Sequence, residues 1–286
     1  MSKRSRVIRM ALERWPNAAM SRAFGILSER RFPPAAQTKL NLAFARAVGI
    51  RLEESELELQ HYPTLNAFFT RRLKEGTHRL DPNPEKLIAP VDGVLRDFGR
   101  IDSERLVQAK GLSYSVKELL NHDPLSAHFE RKAFATFYLS PRDYHRIHSP
   151  CSGEILAHHY VPGSLFPVNA LGLHNIDELF CRNERLITFV RSGQQHLAIV
   201  KVGATCVGRI SATACPFISN QGQTQPERSE WETPPSLERG DEVGVFNLGS
   251  TVVLLFGQAD FVFEPDLRPG QHIRMGTAIG SWAQPS

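Results

Sequence analysis

Apolar residues recur at helical spacing through roughly the first 75 positions of the chain. Val7, Ile8, Ala11, Leu12 and Trp15 share one face, Pro16 interrupts it, and Met20, Phe24 and Leu27 resume it. Pro33-Pro34 marks a break. Leu40, Phe44, Ala47 and Val48 outline a second amphipathic helix, and Leu65, Phe68, Phe69 and Leu73 a third. Such faces can lie in a head-group plane or pack on the body of the protein, and the pattern alone leaves both open.

From about Leu87 the period shortens to that of strands. Residues 94–98, 134–139, 186–190, 197–202, 243–246 and 251–256 are β-branched or alternating runs punctuated by Gly, Pro, Asn and Asp. Glu118 to Leu120 reads as a short helix behind Ser113 or Ser115. Residues 221–235 read as a loop, and residues 269–280 as a glycine-turned hairpin. The expected fold class is α+β, a mostly antiparallel β body with an N-terminal layer of amphipathic helices. The expected division is a helical membrane-association region at 1–75 and a β-rich catalytic domain at 76–286.

Charge sharpens this picture. The whole chain of 286 residues carries a net +4, but ten Lys and Arg residues precede position 51 against only Glu13 and Glu29. A basic arm of +8 on an acidic remainder points to an anionic partner, lipid head groups or nucleic acid. The arm carries no recognisable DNA- or RNA-binding motif, so nucleic acid ranks last. It also resembles an Arg-rich transit peptide, although the helical pattern runs well past a plausible cleavage point. No apolar run reaches the roughly 18 residues that span a bilayer, so membrane contact is expected to be peripheral. Cys151, Cys181, Cys206 and Cys215 form no C-x-x-C pair and suggest free thiols in a reducing compartment.

Three segments offer chemistry. Asn247 to Val253 contains a Gly249-Ser250 step between two strand-like runs. Such a step is commonly a tight turn. It also permits a specific reaction: the serine hydroxyl attacks the preceding carbonyl, and glycine leaves that carbonyl open. Elimination from the resulting ester and hydrolysis would leave a pyruvoyl group. That ketone can condense with a substrate amine and accept the electron pair left by departing carbon dioxide, as pyridoxal phosphate does. The second segment, Ser140 to Pro150, holds His145 and His148, which are better suited to acid–base work than to a metal because no third ligand stands at suitable spacing. The third is Pro90 to Gly93, where Asp92 is either a turn residue or a carboxylate that orients His148 in an Asp-His-Ser relay.

Together these segments resemble the phosphatidylserine decarboxylase family, in its shorter bacterial form. The match is carried by Leu248 to Thr251 (LGST), Tyr138 to His148 (YLSPRDYHRIH) and Pro90 to Gly93 (PVDG). Leu65 to Phe69 with Arg71 or Arg72, Val161 to Asn169, Asn183 to Arg185 and Val202 to Thr205 support it, in order, over about 62–280. The resemblance implies self-cleavage between Gly249 and Ser250, with Ser250 as nucleophile and source of a covalent pyruvoyl cofactor. It implies Asp92 and His148 as the partners that activate Ser250, and His145 as the residue used in decarboxylation. Fragments 1–249 and 250–286 would stay together on the cytoplasmic face of the inner membrane, turning phosphatidylserine into phosphatidylethanolamine. No metal is implied, and a homodimer is compatible with the sequence. The alternatives are a pyruvoyl enzyme for a soluble amino acid, and a non-catalytic β module that docks on membranes.

Overall fold

The computed structural model describes residues 3–14, 17–102, 105–109, 112–205, 209–214, 217–219, 221–247, 250–257 and 260–283. Leu248 and Gly249 of the cleavage motif, along with Cys206 and Cys215, lie outside the described residues. Three helices open the chain: α1 (Lys3–Arg14), α2 (Asn17–Ser28) and α3 (Pro34–Val48). Proline sits at the start of α3, where its missing N–H is unneeded, and Gly49 ends the helix at φ +82°, a left-handed cap. No helix among the described residues is long and apolar enough to cross a membrane.

The face that α3 buries differs from the sequence expectation. Gln37, Asn41 and Ala45 turn inward while Leu40 stays exposed. Asn41 explains the rotation: it bonds Gln37 at 2.8 Å and donates to the carbonyls of Leu59 and Tyr62 at 3.4 and 3.3 Å. These bonds satisfy polar groups that a Leu40 face could not. The third expected helix shortens to α4 (Leu65–Phe69); Leu73 instead forms an isolated bridge with Ser55. Thr64 caps α4 by accepting from Ala67 N at 3.0 Å.

The strands that bear on the site are β1 (Gly93–Arg100), β2 (Ala133–Leu139), β3 (Arg146–His148), β4 (Gly153–Val161), β5 (Arg185–Ser192), β6 (Gln195–Val202), β7 (Arg209–Ala212), β8 (Glu227–Glu230), β9 (Glu242–Asn247), β10 (Ser250–Phe256) and β11 (Gln271–Ile273). A nine-stranded sheet runs β8-β4-β5-β6-β10-β2-β1-β11, with residues 236–237 also pairing β4. A second sheet joins residues 217–218 to β7, β9 and β3. Every ladder is antiparallel. Strand β10 is buried at all seven positions because it lies mid-sheet with both faces covered. The loop expected at 221–235 contains β8, and the hairpin expected at 269–280 divides: β11 pairs β1, while residues 278–282 join residues 87–88 and 261–263. Ser115 caps a short helix at Val116–Leu119, as the sequence suggests.

Register places one lysine where water cannot follow. Lys201 on β6 pairs with Val252 on β10 and is 0% exposed, its stem passing 3.4 Å from where a Cβ on Gly244 would stand. Its ammonium donates to Thr188 Oγ1, which lies 3.0 Å from His158 Nδ1, and burial pushes its pKa down to about 7. The unfolded chain therefore binds more protons than the folded one between about pH 7 and 10.5, so stability rises with pH across that window. Below it both states are protonated and the folded state bears the full cost, roughly 5 kcal/mol as an upper bound. Lys201→Met is expected to raise the unfolding free energy by about 2–4 kcal/mol at pH 6 and by little at pH 10, in urea titrations. An equal gain at both pH values would show that Lys201 does not titrate in this range.

Candidate active site

Ser250 opens β10, paired with Leu139 at the end of β2. It is 0% exposed, and among the described residues its Oγ has no hydrogen-bond partner. A buried hydroxyl usually finds one, so this orphan needs a reason. Ser250 borders a cavity of about 110 Å³ with Tyr138, Asn169 and Thr205. Two of the polar neighbours are engaged elsewhere: Asn169 Oδ1 caps a short helix at Leu171 N, and Thr205 donates to the Leu165 carbonyl. Space without a competing bond suits a serine hydroxyl that must turn toward its own backbone. It suits a less polar ketone equally well.

The turn between β2 and β3 starts next to Leu139, the residue that pairs with Ser250, and it carries a histidine. Asp143 holds it, its Oδ2 accepting from the backbone and hydroxyl of Ser140 at 2.7 and 2.8 Å. His145 follows, fully buried, with Nδ1 2.8 Å from the Asp143 carbonyl. A carbonyl only accepts, so Nδ1 carries the proton and Nε2 a lone pair. Nε2 has no partner. Burial pushes the His145 pKa down to about 3, leaving the ring neutral near pH 7. The His145 carbonyl accepts from Phe246 N at 3.0 Å, four residues before Ser250. Two unpartnered polar atoms, Ser250 Oγ and His145 Nε2, thus belong to adjoining backbone segments.

The stretch from Leu65 to Phe69 proves to be part of this construction. The Phe69 ring covers His145 with centroids 4.0 Å apart, and Asn66 donates to Asn247 Oδ1 at 2.9 Å, two residues before Gly249. Burial of Leu65, Asn66, Phe68 and Phe69 therefore fixes both the histidine and the strand end leading to the cleavage motif.

Asp92 and His148 do not touch as the sequence suggested. Asp92 Oδ1 accepts from Met275 N and lies 2.8 Å from His78 Nε2. Burial raises its pKa, but the bonds from His78 and Met275 outweigh that and hold the carboxyl below its usual range. His148 directs Nδ1 to the Gly240 carbonyl at 2.7 Å and meets the Tyr144 hydroxyl at Nε2, 3.1 Å away. The rings of Tyr144 and His78 lie 5.0 Å apart, so Asp92 and His148 belong to one polar array through two intermediates. The reason is register: β3 pairs with β9, Glu242 opposite His148, which commits His148 Nδ1 to the Gly240 carbonyl just ahead of β9. His78 was missed because nothing local distinguishes it among 11 histidines. Gly93 has a reason beyond a turn: a Cβ there would lie 2.4 Å from the Tyr138 carbonyl, so glycine lets β1 close on β2 beside Asp92. Among the described residues no three His, Cys, Asp or Glu side chains cluster as metal ligands.

Known proteins share this arrangement of sequence. The family model described as phosphatidylserine decarboxylase matches residues 65–281. A phosphatidylserine decarboxylase proenzyme of Anaeromyxobacter sp. (strain K) is 42% identical over 275 residues, covering 96% of this chain and 97% of its own. Proteins of the same name from Myxococcus xanthus and Marinobacter nauticus are each 39% identical, covering 93% of this chain and 94% of their own. A family model over most of the chain and relatives aligned almost end to end leave one assignment: this chain belongs to the phosphatidylserine decarboxylase family.

Proposed function

We propose that this protein cuts itself between Gly249 and Ser250 to make a pyruvoyl group and then decarboxylates phosphatidylserine to phosphatidylethanolamine at a membrane surface. The observation that carries this reading is the buried Ser250 hydroxyl, unpartnered among the described residues, which opens a central strand paired with the one leading into the turn of a neutral, buried His145. Ser250 Oγ attacks the Gly249 carbonyl carbon, the amide C–N bond breaks, and an ester replaces it. Loss of the Ser250 α-proton expels the carboxylate of fragment 1–249 and leaves a dehydroalanine. Its hydrolysis, with release of ammonia, gives the keto terminus of fragment 250–286.

His148 is the base for this sequence, and Asp92 with His78 and Tyr144 positions it. The Tyr144 hydroxyl occupies the nitrogen that would take the serine proton, so it must relay that proton or swing aside. In turnover the pyruvoyl group supplies the electron sink for carbon dioxide loss. His145 Nε2 takes the proton that the substrate ammonium sheds and returns it to the carbon that carbon dioxide leaves. Its burial keeps water from that proton.

The helical layer brings the enzyme to its substrate. Ile26 and Leu27 at the end of α2 are 72% and 53% exposed, and Arg30, Arg31, Lys39 and Leu40, which follow in sequence, are exposed as well. Apolar side chains set among cations suit shallow insertion into anionic lipid, at roughly 1 kcal/mol per well-placed cation. Mass spectrometry of purified protein is expected to show two fragments, split at 249/250, with the smaller bearing a pyruvoyl terminus. The same preparation should decarboxylate phosphatidylserine in vesicles and leave free serine untouched. Turnover of free serine would move the assignment to a soluble amino acid, and an intact, inactive chain would leave a docking module.

A further inference from the structure

A second cavity, of about 320 Å³, opens on the other flank of the turn that carries His145, and it is built around an arginine. Arg71 is 4% exposed yet lines this cavity. Among the described residues its terminal nitrogens hydrogen-bond only to carbonyls, Phe69 O at 3.5 Å and Arg142 O at 3.2 Å, and its Nε has no partner. Three carboxylates stand on the wall, and each is engaged elsewhere. Glu54 pairs with Arg51 and Arg274 at 3.3 and 3.0 Å, Asp92 with His78 at 2.8 Å, and Asp143 with His272 at 3.1 Å. Among the described residues Arg71 makes no ion pair. Its charge is offset only from a distance, by Glu54, Asp92 and Asp143 and by the Phe68 ring 5.6 Å away, so a buried guanidinium with no directly bonded carboxylate faces the cavity and favours an anion there.

We propose that Arg71 seats the phosphate of the substrate headgroup in this cavity, an assignment that rests on the function proposed above. Of the two anionic groups on such a substrate, the carboxylate is consumed at Ser250. The phosphodiester keeps its charge throughout the reaction and must be held. The planar fork of a guanidinium matches two phosphate oxygens, and Arg142 and Arg274 on the same wall add positive charge at the rim. Arg71 follows Phe69 by two residues, and Phe69 covers His145, so a phosphate held there lies next to the decarboxylation machinery. The charge of Arg71 is one of the influences that depress the proton affinity of His145. An anion on Arg71 offsets it and readies Nε2 to take the substrate proton.

The test compares glycerophosphoethanolamine, ethanolamine and inorganic phosphate on the purified enzyme, by thermal shift and by inhibition of phosphatidylserine turnover. Glycerophosphoethanolamine should raise the Tm and compete with lipid, while ethanolamine, with the same amine and no phosphate, should do so far less. Arg71→Gln should cut this affinity and raise KM about tenfold or more while the two fragments still form. Should that variant fail to fold, Arg71→Lys keeps the charge, loses the fork and should show an intermediate loss. An unchanged response in either variant overturns the proposal. Protection by inorganic phosphate but not by the diester also overturns it, assigning the cavity to free phosphate. Because the Tm is read without turnover, an enzyme that never cleaves or never decarboxylates would sink the functional reading and still report on the phosphate site.

Discussion

Ser250→Ala is expected to give a single chain of 32.1 kDa that never separates into fragments and has no measurable decarboxylase activity. The expectation is sharp because the substitution removes one oxygen that bonds to nothing among the described residues. Deleting a bonded buried hydroxyl typically costs about 1 kcal/mol; deleting an orphaned one should be neutral or slightly stabilising. The variant should therefore keep its Tm while losing all chemistry, which separates a reactive group from a structural one. Gel electrophoresis, intact mass and a hydrazine assay for the carbonyl read the outcome. Residual decarboxylation in the uncut variant would remove Ser250 as the source of the ketone.

His145→Ala should divide the two stages of the enzyme. In the proposed mechanism cleavage uses Ser250 and the polar array through His148, so both fragments are expected to appear. Turnover should fall by about 10²–10⁴, the usual worth of a positioned acid–base group. The fold should loosen as well, because the ring fills a fully buried place against Phe69. His145→Gln keeps part of that volume and separates packing from proton transfer: recovered stability without recovered rate is the expected result. A variant that folds but does not cleave would show that His145 serves the first stage, and the division of labour between the two histidines would fall.

The polar array shows how far the sequence could be read. Ser250, His145, His148 and Asp92 stood out as residue types with suitable chemistry in suggestive surroundings. Their partners did not. Asp92 meets His78, fourteen positions away, and His148 meets Tyr144 on its own turn and the Gly240 carbonyl 92 positions later. Such pairings follow from which strands lie side by side, and no local spacing encodes them. Arg71 makes the same point. Its place in the sequence is an arginine two residues after Phe68-Phe69, and only the packing of the 140–145 turn against it makes it a buried cation on a cavity wall with no carboxylate bonded to it.

The chain alone determined what depends on neighbours along it. The helical and β-rich halves follow from apolar period, the caps at Ser115 and Gly49 from local backbone needs, and the reactive Gly249-Ser250 step from adjacency of one hydroxyl and one carbonyl. Tertiary structure decided what depends on distance. Asn41 rotated α3 so that Leu40 faces outward, because satisfying buried amides outweighs burying one leucine. Register sent Lys201 inward and His148 away from Asp92. In both cases an antiparallel ladder fixes every side chain on a strand at once, so a single residue cannot choose its own surroundings.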